Sequence, residues 1–205
     1  LAAETGLTDL NTSLDTTGLT WKFDASSGNP DSLAIDNWIT FSLPDSSKIY
    51  SNEIYVIDRG YDEAGNLRGL RKVVFQEVSD SSYVIRYAAL DGGGEGYFTI
   101  QKDPTVNYSC FSFDEGGRQM PVEPPRESWD LLFSQYTTLL YTDEGEPYPY
   151  LLTGVITNPF GVEVAQDTAL EFSSIDLLAA SGLSYSIDKD EIGRGSLLDG
   201  SRAKA

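Results

Sequence analysis

Apolar and polar positions alternate with a period of two along much of this chain. That spacing puts successive side chains on opposite faces of a β-strand. Glu53-Ile-Tyr-Val-Ile57 reads as a strand. Gly60-Tyr-Asp-Glu-Ala-Gly-Asn-Leu-Arg-Gly69 follows as a long hairpin loop, and Leu70-Arg-Lys-Val-Val-Phe-Gln-Glu-Val78 as the returning strand. Ser79-Asp-Ser-Ser82 turns the chain again into Tyr83-Val-Ile-Arg-Tyr87. β-Branched and aromatic residues bounded by Gly, Asn, Asp and Ser predict an antiparallel meander over 53–87. Further strands are expected at Trp21–Phe23, Asn37–Ser42, Tyr97–Ile100, Tyr108–Phe113, Leu151–Thr157 and Val162–Ala165. Trp38, Phe41, Phe111, Trp129 and Phe133 are the expected core residues.

One helix interrupts this pattern. Ser173-Ser-Ile-Asp-Leu-Leu-Ala-Ala180 has a capping start and stops at Gly182. The fold class is therefore all-β, mainly antiparallel, with one short helix near 173–180. Residues 1–20 lack a period and read as a polar lead-in. Residues 21–187 read as a single β domain. Asp91-Gly-Gly-Gly-Glu-Gly96 is a flexible link where two half-modules meet. Asn37-Trp-Ile-Thr-Phe-Ser42 and Asn107-Tyr-Ser-Cys-Phe-Ser112 share the pattern Asn-aromatic-x-x-Phe-Ser and suggest related halves. Tyr141–Tyr150 reads as a surface loop and 188–205 as a flexible tail.

Composition narrows the chemistry. The 205 residues suffice for one large β domain with a real core and need no covalent staple. The formal net charge is −18, from 32 acidic and 14 basic residues. Such a surface repels phosphate backbones and anionic lipid, so nucleic acid is not an expected partner. The acids are scattered, as on a solvated face. No apolar run is long enough to cross a membrane as a helix. Leu1-Ala-Ala-Glu-Thr reads as the stretch after a cleavage site or lipid anchor.

The chain has no histidine and one cysteine, Cys110. That removes the commonest general base, the usual triad base and any Cys/His zinc cluster. Carboxylate-pair chemistry stays open, since such pairs are defined by distance in space, but no local motif marks one. The chain reads as a non-enzyme. Asp188-Lys-Asp190-Glu-Ile192-Gly193, with Asp199 at the twelfth position, partly mimics a calcium loop. Ile192 stands where an oxygen ligand is wanted, and Asp199 is shorter than the usual Glu. Met120, the only methionine, lies between Gly-Gly and Pro and can act as a soft ligand.

Several segments resemble a known family. Ser51-Asn-Glu-Ile-Tyr-Val-Ile-Asp-Arg, Asp62-Glu-Ala-Gly-Asn, Val73-Val-Phe-Gln-Glu-Val and Tyr83-Val-Ile-Arg-Tyr are similar to the closing meander of HmuY-like proteins. Trp38-Ile-Thr-Phe-Ser42 also fits that pattern. Tyr108-Ser-Cys-Phe-Ser-Phe-Asp-Glu-Gly-Gly and Trp129-Asp-Leu-Leu-Phe-Ser-Gln-Tyr136 are similar to the family's opening. These segments occur here in the opposite order, closing part first. The chain thus reads as a permuted module, or as the end of one module and the start of another.

The resemblance implies an all-β outer-membrane or cell-surface lipoprotein of Bacteroidota, in the periplasm or outside it, that carries haem or another apolar ligand. The family's haem-ligand position would fall near Leu43, whose side chain cannot bind iron. The candidate ligand-binding residues are therefore Met120, Tyr136 and Tyr141, with haem the implied cofactor and ferrous haem the form a thioether would favour. The competing reading is a structural or adhesive cell-surface β-module that binds glycan or protein without catalysis.

Overall fold

The computed structural model describes residues 1–42 and 45–192. It is built mostly of antiparallel strands with one short helix, so the chain is all-β. The chain divides into two compact units. Unit 1 comprises Leu1–Asp24 and Asp31–Pro124, and unit 2 comprises Ala25–Pro30 and Pro125–Ala205. The change of unit falls at the Pro124-Pro125 pair and not at the glycine run 91–96.

In chain order, unit 1 contains β1 (Ala2–Glu4), β2 (Ile39–Phe41), β3 (Lys48–Tyr50), β4 (Tyr55–Asp58), β5 (Leu70–Val78), β6 (Ser82–Ala88), β7 (Gly96–Gln101), β8 (Cys110–Ser112) and β9 (Arg118–Met120). Five of these form one antiparallel sheet in the order β1-β4-β5-β6-β7. The predicted meander is present in full: β4, β5 and β6 are neighbours, with Tyr55 opposite Val73 and Val73 opposite Tyr87. β2–β3 and β8–β9 are separate hairpins.

The period of two sorts β5 between two cores. Val73 and Phe75 face one side, with Tyr55, Ile85, Tyr87 and Ile100. Trp38, Phe98, Phe111 and Phe113 pack onto that cluster. The Phe98 and Phe111 rings lie 4.9 Å apart and those of Trp38 and Phe75 5.1 Å apart. Val74 faces the other side, where it meets Leu10, Ile54 and Ala88. Each large side chain so buried contributes roughly 1.5–3 kcal/mol.

The second core changes the reading of residues 1–20. They are not a lead-in: Ala2 and Ala3 are buried in β1, and Leu10 seals the second face of the sheet. Lys72 holds this cover in place. It is fully buried, and its Nζ donates to the carbonyl oxygens of Leu10 and Thr12, the latter at 2.6 Å. A short segment with two alanines and spaced leucines has no period, yet it buries well when a sheet supplies the other wall.

The glycine run is also not a free link. It makes the β6–β7 turn, and two of its glycines sit in close approaches. A Cβ on Gly92 would come within 2.7 Å of the Asn11 carbonyl oxygen, and one on Gly96 within 2.3 Å of the Tyr87 ring. The Asn-aromatic-x-x-Phe-Ser repeat does not give equivalent halves. Trp38 and Phe111 pack on the core, whereas Phe41 is 61% exposed and Tyr108 is exposed too. The two copies thus turn different members of the motif inward.

Unit 2 is a long hairpin, β10 (Leu131–Tyr141) with β11 (Pro147–Thr157), followed by the helix α1 (Leu177–Ser181). The expected loop over 141–150 shrinks to a turn at 142–146, because Pro147–Tyr150 pair with Tyr141–Thr138. Prolines suit this strand because its far side is an edge and needs no donor there. The helix starts later than the sequence predicts: Asp176, not Ser173, caps it by accepting from Ala179 N at 2.8 Å. Residues 172–174 form a separate 3₁₀ turn. At 162–165 only a single bridge, Val164 to Ser186, is made. The start of the expected tail is anchored, since Lys189 N donates to Ser27 O and Thr157 N to Lys189 O.

Candidate functional site

Two features of the described residues stand out, one in each unit. The first grows from the β4–β5 loop. Asp58 Oδ1 accepts from Gly60 N at 2.9 Å and opens the loop. Gly60, Gly65 and Gly69 adopt positive φ, which glycine tolerates without strain. Asp62 Oδ1 accepts from Ala64 N and Asn66 N at 2.9 and 2.8 Å, and Oδ2 accepts from Asn66 Nδ2 at 3.1 Å. This local closure stiffens the tip.

The flanking arginines then converge. Arg59 donates to Arg68 O at 3.1 Å, and both guanidinium groups donate to the carboxylate of Asp114, Arg68 at 2.5 Å. Ser112 Oγ adds a third bond to Asp114 at 3.1 Å. The hydrogen bond from Arg59, followed by those from Arg68 and Ser112, holds the Asp114 carboxyl down to about 2 against the opposing effect of desolvation. Arg59, Arg68 and Asp114 line an open groove of about 710 Å³ with Tyr61, Asp62, Glu63 and Ala64.

The second feature is the apolar surface of unit 2. Every fully buried large hydrophobic side chain among the described residues belongs to unit 1. In unit 2 the buried residues are polar: Thr157, Asn158 and Asp190. Leu131, Phe133, Leu139, Tyr141 and Leu151 share one face of the hairpin by parity and register, and all are exposed, Phe133 by 76%. Neither strand carries a charged side chain. Phe172 and Leu177 are each 91% exposed. Phe133 and Phe41 are thus surface residues; Trp38, Phe111 and Trp129 are all half-buried, and of these Trp38 and Phe111 pack on the main core.

The three candidate ligand residues do not meet. Met120 lies in unit 1, on strand β9 opposite Cys110. It lines a cavity of about 190 Å³ with Val106, Tyr108 and Glu123. Burial, then the charge of Glu123, pushes the Cys110 thiol up. Tyr136 and Tyr141 lie in unit 2, five residues apart on one strand and so on opposite faces of the hairpin. In the calcium-like segment, Asp190 is buried and accepts from Ser26 Oγ at 2.5 Å, and Ser26 also bonds Thr138. Gly193 and Asp199 of that segment, and the ligand position near Leu43, lie outside the described residues. Among the described residues, no group of three or more His, Cys, Asp or Glu is placed to hold a metal ion.

Sequence reasoning passed over Arg59, Tyr61, Arg68 and Asp114. Tyr61 and Arg68 sit in a loop it recognised and Arg59 just before it, but Asp114 joins them from 46 positions beyond Arg68. No local pattern announces that meeting. Comparison of the chain with protein-family models, with curated proteins and with solved structures finds no match.

Proposed function

We propose that this chain is a non-catalytic, extracytoplasmic β-module that engages a partner protein by accepting a β-strand on the β10–β11 hairpin. The observation that carries this reading is a long hairpin whose two strands bear no charge and expose apolar side chains, in a chain of net charge −18. Apolar surface of this kind marks a binding face on a soluble protein. A hairpin alone is marginally stable in water, so a third strand would stabilise it.

The two edges of the hairpin differ. Pro147 and Pro149 remove donors from β11, which blunts that edge. β10 has no proline, and among the described residues no further strand pairs with its outer edge. A partner strand would pair there through its main chain and lay apolar side chains beside Phe133 and Leu139. The missing charge in β10 fits an equally uncharged strand. The surface location rests on the resemblance to HmuY-like proteins. Haem draws no support from the Met120 cavity, which is smaller than the roughly 300–1,000 Å³ of ligand pockets.

A lysine-flanked peptide with the sequence of 131–141 is a suitable probe strand. It is expected to bind the full chain, to slow amide exchange in β10, and to bind at least tenfold more weakly to Phe133→Asp. Unchanged exchange at saturating peptide sinks the proposal. Dimerisation of the chain through β10 in ultracentrifugation would make a second copy the partner. A Soret shift with haem that Met120→Ala removes would return the function to haem carriage.

A further inference from the structure

We propose that the groove beside the β4–β5 loop is a separate binding site for a neutral saccharide. Its lining combines two cations, Arg59 and Arg68, with three carboxylates, Asp62, Glu63 and Asp114. An anionic ligand would meet the carboxylates, and a cationic one the guanidinium groups. A neutral polyhydroxylated ligand meets neither penalty and can use both kinds of group, donating to carboxylate oxygens and accepting from N–H. Planar side chains such as these make paired hydrogen bonds to neighbouring hydroxyls of a sugar ring.

Tyr61 supplies the other half of sugar chemistry. Its side chain is 66% exposed at the groove, and its backbone is fixed by a bridge to Leu67. The C–H face of a pyranose is apolar and stacks on such a ring, while the phenol rim stays wet. The polar groups are already ordered. Arg59 and Arg68 are both bonded to Asp114, Arg59 is only 10% exposed, and Asp62 is tied into its own turn. A ligand therefore does not have to freeze them, which lowers the entropic cost of binding. At about 710 Å³ the open groove suits a short stretch of polysaccharide and not an enclosed small molecule.

This site does not rest on the hairpin reading. The test is affinity electrophoresis of the full chain through gels holding mannan, dextran, galactan or xyloglucan, with polygalacturonate and chitosan as charged counterparts. At least one neutral polysaccharide is expected to retard the chain. Tyr61→Ala should remove the retardation without moving the melting temperature, and Glu63→Gln should weaken it several-fold. Phe133→Asp should leave it intact, which separates this site from the hairpin. The proposal is overturned by retardation in none of the neutral gels, by retardation in the charged gels alone, or by equal retardation of Tyr61→Ala.

Discussion

Two buried polar side chains in the main sheet carry opposite consequences. Tyr55 is fully buried, and its hydroxyl has no hydrogen-bond partner among the described residues. Burial first, then the charges of Glu4, Asp36 and Glu53, push this phenol up to about 12. The folded chain then holds a proton that the unfolded chain releases above 10, so Tyr55 stabilises below 10 and that contribution drains away between 10 and about 12. Tyr55→Phe should flatten this alkaline loss, worth roughly 3 kcal/mol when complete and about half of that at pH 11, and cost little at neutral pH because no bond is removed. Urea melts at pH 7 and pH 11 check both statements. Lys72 behaves in the reverse sense. Desolvation lowers it, partly offset by Asp91 and Asp9, so its contribution makes stability rise as pH approaches 10.5. Lys72→Met keeps the volume but leaves the Leu10 and Thr12 carbonyls without their donor. It should cost about 1–3 kcal/mol and speed amide exchange over residues 7–14.

At the scale of elements, the β6–β7 turn shows how a glycine run can be a packing device. Tyr87 faces Gly96 across the β6–β7 pair: its ring lies against Gly96, and its hydroxyl approaches Gly117 and donates to Gly116 O. A methyl group on Gly96 would overlap that ring, which belongs to the main core and stacks edge-on with Phe113 at 5.4 Å. Gly96→Ala should therefore lower stability by about 1–3 kcal/mol, read as a shift in the denaturant midpoint. The neighbouring Gly94→Ala meets no atom within 4 Å, but its φ of +62 makes the change a control for backbone strain alone. The larger loss at Gly96 distinguishes a close approach from a merely permissive turn. By the same logic the β2 and β8 strands, alike in sequence, differ in role because only one of each pair of aromatic rings finds a wall to pack on.

At the scale of the molecule, stabilising burial is concentrated in one unit. Both apolar clusters lie within residues 1–124, and unit 2 is held by polar bonds and a two-stranded ladder. A chain of residues 1–124 should thus unfold cooperatively on its own, with a melting temperature within a few degrees of the full chain. A chain of residues 125–205, which lacks the Ala25–Pro30 part of unit 2, should show no cooperative melt and should bind a hydrophobic dye such as ANS. Circular dichroism melts of the two pieces test this directly. A cooperative transition in the second piece would show that its exposed apolar residues find partners within the unit.

The alternation in Glu53–Tyr87 determined the meander without help, because the period of strands is a local property and one face of each was to be buried. The same alternation along the rest of the chain determined the all-β class, and composition alone excluded histidine-based chemistry. Tertiary structure decided everything that depends on meetings between distant residues. Residues 1–14 became a cover because a sheet face with Val74 and Lys72 awaited them. Phe133 stayed outside because no second layer among the described residues covers it, although its strand pattern equals that of a core strand. Arg59, Arg68 and Asp114 came together only when a loop and a turn 46 or more residues apart folded onto one another. Periodicity tells which face of a strand is apolar; whether anything covers that face is settled by the rest of the chain.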